Sequence, residues 1–521
     1  MLLHDHLDRW ARQRPSGEFA VHGDRTLTWR EAAERTDRVA NALVGFGLPV
    51  GARIAVLAKN SIEYLLLYYA ASKAGVVPVP LNHRSAPPEW VHIITDSRAA
   101  LVVADGGHTA AVDAVRGGLG VRGLATLDGA SIPGWDSLPA LAAAAPATPP
   151  ARTVGADDDV YQLYTSGTTG RPKGAVLTHR AVTANCAQIA AMPHRGAPGE
   201  RTLVVAPLCH AGVVWAAFAP QSWGASVYLQ TDFDPVAVMD ALETERIGYA
   251  ALVPSIIQMC LTAVPDAVQR RYPALRLIHT GAAPIAEATL RWTIETFGCD
   301  VVVGYGMTEA SAGTSAMTPD DTRRGLAGHP ELLCCVGRPL RHTEVRIVDR
   351  SGTELPVGEI GEIVVRGPQL MRGYWRAPQA TAQTLRGGWL HTGDAGRLDV
   401  DGYLYIADRI KDVIISGGLN VYPQMVEDVL HAHPAVAEAA VIGVPHETWG
   451  ETVKAVVVAR PGMTVDEAAL IEFCRGRLGG YQRPRSVDLV AALPRTASGK
   501  VRKRRLRELC RAGHEPPMGS P

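Results

Sequence analysis

Short apolar runs alternate with amphipathic helical patterns along most of this chain. The runs "RIAVLA", "VVPVPL" and "ALVVAD" lie within the first 150 residues, and "RTLVVAPL", "GASVYL" and "LRLIHTG" follow between residues 160 and 303. Strands that alternate with helices form parallel sheets covered by helices. The pattern therefore predicts an α/β fold with two helix-covered sheets.

The pattern changes twice towards the C-terminus. Residues 344–405 carry short strands separated by turns, which predicts an antiparallel, barrel-like subdomain. The residues after 411 show a compact α+β pattern. We predict a large N-terminal domain at residues 1–407, a hinge at 408–411 and a small, mobile C-terminal domain at 412–521. Residues 138–155 are rich in Ala and Pro, which predicts a surface connection.

Charge and apolar patterning exclude several classes of function. Lys plus Arg and Asp plus Glu both number 52, so no basic surface for nucleic acid is indicated. The most apolar segment, residues 62–81, contains Glu63, Lys73 and two prolines. It predicts a buried helix capped by Ser61 and followed by a strand, without integral membrane contact. The basic run "RKRRLR" at residues 502–507 is interpreted as a solvated helix face.

Cysteine usage and the N-terminus indicate where the protein works. Eight cysteines are scattered without a C-x-x-C pair, which favours free thiols over disulfides or a zinc site. The N-terminal residues carry charges throughout and no apolar core typical of a signal peptide. We predict a cytoplasmic protein that is a monomer or a homodimer.

The segment "TSGTTGRPKG" at residues 165–174 has the composition of a phosphate-binding loop. A Walker loop needs Lys directly after its last Gly and a hydroxyl next. Here Lys173 comes three residues after Gly170, and Pro172 opposes immediate helix entry. Because "GAVLTH" follows as a strand with Thr178 as a helix cap, the segment predicts a hairpin-like turn whose backbone N–H groups face an anion. A hairpin without a ligand is the alternative.

Further motifs follow this loop in a fixed order. They are "PLCHAGV" (207–213), "TGAAPI" (280–285), "GYGMTE" (304–309), "HTGD" (391–394), "DRIKDVIISGGLNVYP" (408–423) and "PRTASGKVRK" (494–503). With them the chain resembles the adenylate-forming superfamily of acyl-CoA synthetases, peptide-synthetase adenylation domains and firefly-type luciferases. The resemblance covers nearly the whole chain.

The resemblance implies a nucleotide site. Lys173 would be the cation on the β- and γ-phosphates, Tyr305 would lie against adenine, and Asp394 would accept the ribose hydroxyls. Alone, "TGD" would be an ordinary turn. The residues implied in nucleotide binding are Thr165, Ser166, Gly167, Thr168, Thr169, Gly170, Lys173, Gly281, Ala282, Ala283, Pro284, Tyr305, Gly306, Met307, Asp394 and Arg409.

The resemblance also implies the catalytic residues. Lys500 would place its ammonium between the attacking carboxylate and the α-phosphate, although a lone lysine in such a loop is usually surface decoration. Thr308 would donate to the phosphate. Glu309 would hold Mg²⁺ with Thr165, its alternative being an ordinary carboxylate in the first turn of a helix.

The remaining implied roles concern the hinge and the two other substrates. Lys411 would be the hinge about which the C-terminal domain rotates, and Gly417 and Gly418 would leave room for the pantetheine arm of coenzyme A. His210, placed at the acyl pocket, would gate it or line the carboxylate. Alone, that histidine would be an ordinary core residue. The other acyl-pocket residues would be Trp215 and Gly304.

The predicted function is ATP-dependent activation of a fatty or aromatic acid to an acyl-adenylate, with transfer to CoA. ATP, Mg²⁺ and coenzyme A would be the cofactors, and the partners would be small molecules only. Three alternatives stay open at this point. The acceptor could be a carrier protein, an amine or another nucleophile, the acid could be an unusual oxyacid, or the protein could be an idle nucleotide-binding regulator.

Overall fold

A computed structural model describes residues 1–165, 172–495 and 501–511. The described chain alternates strands and helices throughout. Its helices are α1 (His4–Gln13), α2 (Trp29–Gly45), α3 (Ile62–Ala74), α4 (Pro87–Ser97), α5 (Thr109–Asp113), α6 (Leu138–Ala144), α7 (His179–Ala190), α8 (Ala219–Ser222), α9 (Pro235–Thr244), α10 (Pro254–Ala263), α11 (Glu287–Phe297), α12 (Pro319–Leu326), α13 (Pro378–Thr384), α14 (Pro423–His431), α15 (Glu467–Cys474) and α16 (Lys503–Arg511).

The strands are short for the most part. They are β1 (Glu18–His22), β2 (Arg25–Thr28), β3 (Arg53–Leu57), β4 (Val77–Pro80), β5 (Leu101–Ala104), β6 (Gly123–Thr126), β7 (Asp136–Ser137), β8 (Asp159–Thr165), β9 (Lys173–Thr178), β10 (Arg201–Val204), β11 (Ser226–Leu229), β12 (Ile247–Ala251), β13 (Leu277–Gly281), β14 (Asp300–Tyr305), β15 (Ser315–Met317), β16 (Arg338–Pro339), β17 (Glu344–Val348), β18 (Gly361–Arg366), β19 (Gly373–Tyr374), β20 (Leu385–Arg386), β21 (Trp389–Leu398), β22 (Leu404–Arg409), β23 (Ile414–Ser416), β24 (Leu419–Val421), β25 (Val436–His446), β26 (Gly450–Ala459) and β27 (Ser486–Leu489).

The chain divides into two compact units. The first consists of Met1–Pro284, Trp292–Glu344 and Val365–Leu390, and the second of Ile285–Arg291, Val345–Val364 and residues 391–521. The predicted domain boundaries at residues 407 and 411 stay predictions.

Three sheets form the first unit. A nine-stranded sheet has the order β16-β15-β14-β13-β12-β10-β11-β1-β2, and its strands from β14 to β1 run parallel. A five-stranded sheet, β4-β3-β5-β6-β7, is parallel throughout. A small antiparallel sheet has the order β19-β9-β8. The predicted α/β class with two helix-covered sheets is confirmed.

Helix α3 shows why the most apolar segment is buried. All but one of its residues, Glu63, are shielded from solvent, and Ser61 caps it by accepting the N–H of Tyr64. Lys73 is buried too, and its ammonium is paired with Asp8 at 2.6 Å and with Asp37 at 2.7 Å. The predicted buried helix followed by strand β4 is confirmed. Within the described ranges, no helix combines the length and the apolar character that crossing a bilayer requires.

The predicted surface connection at residues 138–155 is exposed at most of its positions, and its first part forms helix α6. Ser137 caps α6 by accepting the N–H of Ala140, and Leu138 is buried. Alanine is the strongest helix former, and a buried apolar side chain fixes the helix against the core. Helix α2 holds the segment after α6 in place, since Asn41 donates to the carbonyl of Thr148 at 2.7 Å.

The second unit contains the hairpin of β21 and β22 and a sheet of order β24-β23-β26-β25, with β27 beside β26. Helix α16 carries the basic run. The interpretation of this run as a solvated face is wrong for Lys503 and Arg507, which pair with Glu427 and Asp412 at 2.8 Å each. Leu506 between them is buried. Arg502, Arg504 and Arg505 are exposed to solvent.

Candidate active site

Strands β8 and β9 form the hairpin that frames the candidate phosphate loop. They pair antiparallel, with Thr165 directly opposite Lys173. Thr178 caps helix α7 by accepting the N–H of Ala181. The two predicted extended segments are therefore confirmed, whereas the predicted turn that joins them lies outside the described residues. Its candidate phosphate ligands Ser166, Gly167, Thr168, Thr169 and Gly170 lie outside the described residues.

Tyr374 connects Lys173 to Glu309. The Lys173 ammonium lies 4.6 Å from the centre of the Tyr374 ring, within the range of a cation–π interaction. The Tyr374 hydroxyl donates to Oε1 of Glu309 at 2.7 Å. The structure thus brings a predicted phosphate cation and a predicted metal carboxylate to one aromatic ring. Sequence reasoning missed Tyr374, although "RGYW" places two aromatic residues directly after a glycine.

Two glycines meet where β13 and β14 end. Gly281 pairs with Gly304 across these parallel strands. A Cβ on Gly281 would lie 2.4 Å from the carbonyl oxygen of Gly304, so no side chain fits there. The next residue, Ala282, has a left-handed φ of 66° that turns the chain towards Ala283 and Pro284. Ligands of open α/β sheets bind beyond the carboxyl ends of parallel strands, and Gly281 and Gly304 leave the backbone there without side chains.

The loop after β14 is folded tightly on itself. The backbone carbonyl of Tyr305 accepts the N–H of Thr314 at 2.8 Å. A Cβ on Gly306 would lie 1.8 Å from the carbonyl oxygen of Ala312, so this position requires glycine. Thr308 and Glu309 follow Met307 in a short 3-10 turn, Thr308–Ala310. The loop therefore fixes Tyr305 and Glu309 relative to each other.

His210 and Trp215 lie on one continuous segment. His210 ends a turn in which its N–H donates to the carbonyl of Pro207. Trp215 follows on a π-helical turn, Val214–Phe218. Its indole stacks on the imidazole of His279, with ring centres 3.8 Å apart and planes 5° apart. His279 was absent from the predicted site, because a histidine within an apolar strand gives no sequence signal for a ligand.

The histidine and Gly304 are in direct contact. A Cβ on Gly304 would lie 2.6 Å from Nε2 of His279, so the missing side chain of Gly304 makes room for the imidazole. Burial lowers the pKa of His279 to about 3, which leaves the ring neutral at physiological pH.

In the second unit the structure brings Asp394 and Arg409 together. They are directly opposite each other on β21 and β22, and Nε of Arg409 lies 2.7 Å from Oδ1 of Asp394. The preceding turn at Gly393 is held by Glu362, which accepts the N–H of Gly393 and contacts His391 at 2.8 Å. This places the two predicted ribose ligands side by side.

The hinge and CoA candidates also lie in the second unit. Lys411 is in a 3-10 turn, Ile410–Asp412, and burial lowers the pKa of its ammonium. Gly417 and Gly418 have φ of 59° and 80° and join β23 to β24. A two-residue hairpin with both φ values positive is a turn that strongly prefers glycine. The turn alone thus explains both glycines, and their CoA role stays a prediction. Lys500 is outside the described residues.

The described residues include no cluster of three His, Cys, Asp or Glu side chains that could hold a metal ion. This fits Mg²⁺, which proteins usually hold through one or two carboxylates and the phosphates of a substrate. Glu309 supplies a carboxylate whose Oε1 is oriented by Tyr374. Thr165 supplies a hydroxyl at the base of the hairpin. These two residues therefore fit the metal.

Comparison with known proteins identifies the class. Residues 7–375 match the AMP-binding enzyme family, and residues 425–500 match the AMP-binding enzyme C-terminal domain. The chain belongs to the AMP-binding enzymes, and the resemblance to the adenylate-forming superfamily is confirmed.

Individual relatives cover nearly the full chain. A feruloyl-CoA synthase of Amycolatopsis sp is 40% identical over 96% of this chain and 97% of its own length. The long-chain-fatty-acid–CoA ligase FadD13 of Mycobacterium tuberculosis is 35% identical over 93% of both chains. The amide bond synthetase McbA from Marinactinospora thermotolerans has a TM-score of 0.88 at 33% identity, over 98% of this chain and 99% of its own.

Proposed function

We propose that this protein is an AMP-forming acid–thiol ligase. The acid carboxylate attacks the α-phosphorus of ATP, the bond between the α-phosphorus and the bridging oxygen breaks, and diphosphate leaves with that bond's electron pair. The thiolate of CoA then displaces AMP from the acyl-adenylate to give the thioester. The observation that carries this proposal is the Lys173–Tyr374–Glu309 contact, since it joins the predicted phosphate cation to the predicted metal carboxylate in a chain of this family.

The first step requires that negative charge on ATP be screened. Lys173 would bind the β- and γ-phosphates, and Tyr374 would keep its ammonium and the Glu309 carboxylate in fixed positions. Mg²⁺, held by Glu309 and Thr165, would stabilise the charge that develops on the leaving diphosphate. The Lys500 ammonium would lie between carboxylate and α-phosphate, where it offsets the repulsion of two anions.

The nucleoside would lie on the wall that Gly281 and Gly304 keep free of side chains. Tyr305 would stack on the adenine, since its backbone is held by the folded loop of Gly306. Asp394 would accept the ribose hydroxyls while Arg409 stabilises its negative charge. Thr308 would donate to the α-phosphate.

The second step would use the C-terminal domain in another orientation. Rotation at residues 408–411 would withdraw Lys500 and present Gly417 and Gly418 to the pantetheine arm. A short hinge can absorb such a change in φ and ψ within one or two residues. The division into residues 1–407 and 412–521 is part of this proposal, and so are a cytoplasmic location and a monomeric or homodimeric state.

A second candidate acceptor is an amine. The similarity to an amide bond synthetase of the same fold supports it. The adenylation residues would be unchanged, and only the nucleophile would differ.

The experiment separates the two half-reactions. Acid-dependent diphosphate release, with trapping of the adenylate by hydroxylamine, is measured over aliphatic, aryl and amino acids with and without CoA. Lys500→Ala should lower adenylate formation by about 100-fold or more and spare thioester formation from pre-made acyl-adenylate. Lys59→Ala, which removes an exposed lysine paired with Asp232, is the matched control.

Equal loss of both half-reactions in Lys500→Ala would contradict the role of this lysine. Diphosphate release without any thioester, but with amide formation when an amine is added, would replace CoA by the amine as acceptor. No acid-dependent release from the unchanged protein would overturn the proposed function.

A further inference from the structure

The turn that precedes Asp394 is anchored by Glu362 on the neighbouring strand. Nδ1 of His391 lies 2.8 Å from Oε2 of this carboxylate, and the N–H of Gly393 donates to Oε1 at 3.2 Å. Strand β18, which carries Glu362, is hydrogen-bonded to β21, which carries the turn. Both oxygens of one side chain are therefore engaged by residues of the turn.

The next residue of β18 supplies a second anchor. The hydroxyl of Thr392 donates to the carbonyl of Ile363 at 2.7 Å and accepts the N–H of Asp394 at 3.1 Å. Gly393 has a φ of 70°, in the left-handed region that favours glycine. The three residues before Asp394 are thus each held by Glu362 or by Ile363.

The contact between Glu362 and His391 is largely shielded from solvent. Only 19% of the glutamate side chain and 12% of the histidine side chain are exposed. Hydrogen bonds to an ionised carboxylate are about twice as strong as neutral ones, and shielding limits competition by water. An ordinary turn with the sequence Thr-Gly-Asp can form through hydroxyl and backbone contacts alone. The shielded carboxylate therefore adds more rigidity than such a turn requires.

These anchors fix the direction of the Asp394 carboxylate. Its Oδ1 lies 2.7 Å from Nε of Arg409, and only 6% of its side-chain surface is exposed. A carboxylate enclosed in this way cannot follow a ligand that arrives in a different position. Displacement of a positioned group by about 1 Å can cost about 100-fold in efficiency. The position of the turn therefore controls what Asp394 can bind.

We propose that Glu362 is a positioning residue that, together with His391, orients Asp394 and thereby sets the selectivity of the site for nucleotides with intact ribose hydroxyls. Glu362 acts through the turn, and Asp394 makes the contact with the ribose. This inference rests on the proposed function, because the ribose role of Asp394 is part of it.

The test measures binding of ATP and of 2′,3′-dideoxyATP by isothermal titration calorimetry, with Mg²⁺ and without any acid. The unchanged protein should bind ATP about 100-fold more tightly, since two hydrogen bonds to a charged acceptor are lost in the dideoxy analogue. Glu362→Ala should reduce this ratio to about tenfold or less. It should leave the Kd of 2′,3′-dideoxyATP nearly unchanged, because that ligand makes no use of Asp394.

Two further variants separate positioning from a general loss of structure. Glu362→Gln keeps an oxygen acceptor for the N–H of Gly393 and should recover most of the ratio. His391→Ala removes one of the two partners of Glu362 and should lower the ratio about threefold, as loss of one hydrogen bond predicts. It tests the inference even if Glu362→Ala fails to fold.

The matched control is Glu344→Ala. Glu344 pairs with Arg366 at 2.6 Å, and about half of each side chain is exposed, at 54% and 46%. The variant removes a glutamate of a neighbouring strand without touching the turn. It should leave the ratio of the two dissociation constants unchanged.

Two results would overturn the inference. Equal weakening of both nucleotides in Glu362→Ala, or an unchanged ratio in His391→Ala, would show that this pair only supports the fold. Equal binding of both nucleotides by the unchanged protein would remove the orientation assigned to Asp394. Failure of the proposed function is a different result, in which the protein prefers ATP in this assay but releases no diphosphate with any acid.

Discussion

Replacement of Lys503 by methionine tests whether a residue of the basic run stabilises the interior of the second unit by neutralising buried carboxylates. The Lys503 ammonium lies 2.8 Å from Oε1 of Glu427 and 3.9 Å from Oδ2 of Asp408. Both carboxylates are buried, with 9% and 7% of their side-chain surfaces exposed. Each also accepts a backbone N–H, from Val441 and Gln424 respectively. Lys503→Met would leave two buried carboxylates without their shared cation.

The expected loss in the free energy of unfolding follows from these distances. At an effective dielectric constant of about 20, a pair of charges 3–4 Å apart attracts by about 4–6 kcal/mol. Desolvation of the lysine offsets part of this attraction. Removing one partner of a buried ion pair typically destabilises by about 3–5 kcal/mol, and we expect this loss for Lys503→Met. Lys59→Met, whose lysine pairs with the exposed Asp232, should cost at most about 1 kcal/mol.

The stability lost in Lys503→Met should depend on pH. Burial raises the pKa of Asp408 to about 6 in the folded protein, above its ordinary value of 3.8, although Lys503 opposes the rise. Without Lys503 this pKa should rise further. A folded state that binds more protons than the unfolded state gains stability as pH falls. The cost of Lys503→Met should therefore be largest near pH 8 and shrink as pH falls towards 5.

The assay is urea unfolding at pH 5 and pH 8, followed by hydrogen-exchange mass spectrometry of peptides from α14 and β25. These peptides report on the second unit rather than on the whole chain. Lys503→Arg keeps the charge and should recover most of the loss. A cost below about 1 kcal/mol at pH 8, or equal costs at both pH values, would refute the reasoning.

Two further predictions concern the loop of the first unit and the hinge. Gly306→Ala places a Cβ 1.8 Å from the carbonyl oxygen of Ala312; it should lower ATP–diphosphate exchange at least tenfold, as is typical when a positioned group moves by about 1 Å. The control variant is Gly117→Ala, where a Cβ would meet open space, and it should leave the exchange rate unchanged. An unchanged exchange rate in Gly306→Ala would contradict the inference that this loop is fixed. Lys411→Pro fixes one backbone torsion of the hinge, so it should spare adenylate formation but block thioester formation. The control variant Lys411→Ala should permit both half-reactions. Normal overall turnover of Lys411→Pro would count against rotation at this hinge.

Local sequence patterns predicted most of the helices and strands that frame the site and the order of its motifs. Helix α3 with its Ser61 cap, the hairpin that places Thr165 opposite Lys173, and the α7 cap at Thr178 all arise from local patterns. Such features depend on residues that are close in sequence, through periodicity, capping hydroxyls and turn-forming glycine or proline. Local signals of this kind are readable without knowledge of the fold.

Contacts between side chains that are distant in sequence became evident from the folded structure alone. Tyr374 binds Glu309 from 65 positions away, and Trp215 stacks on His279 from a different element. Lys503 appeared as one basic residue among several, and its burial against Glu427 depends on the packing of α16. Sequence patterns record whether a residue prefers the interior, but not its partner there. Partners are set by the topology of the sheets and by close packing, which act over the whole chain.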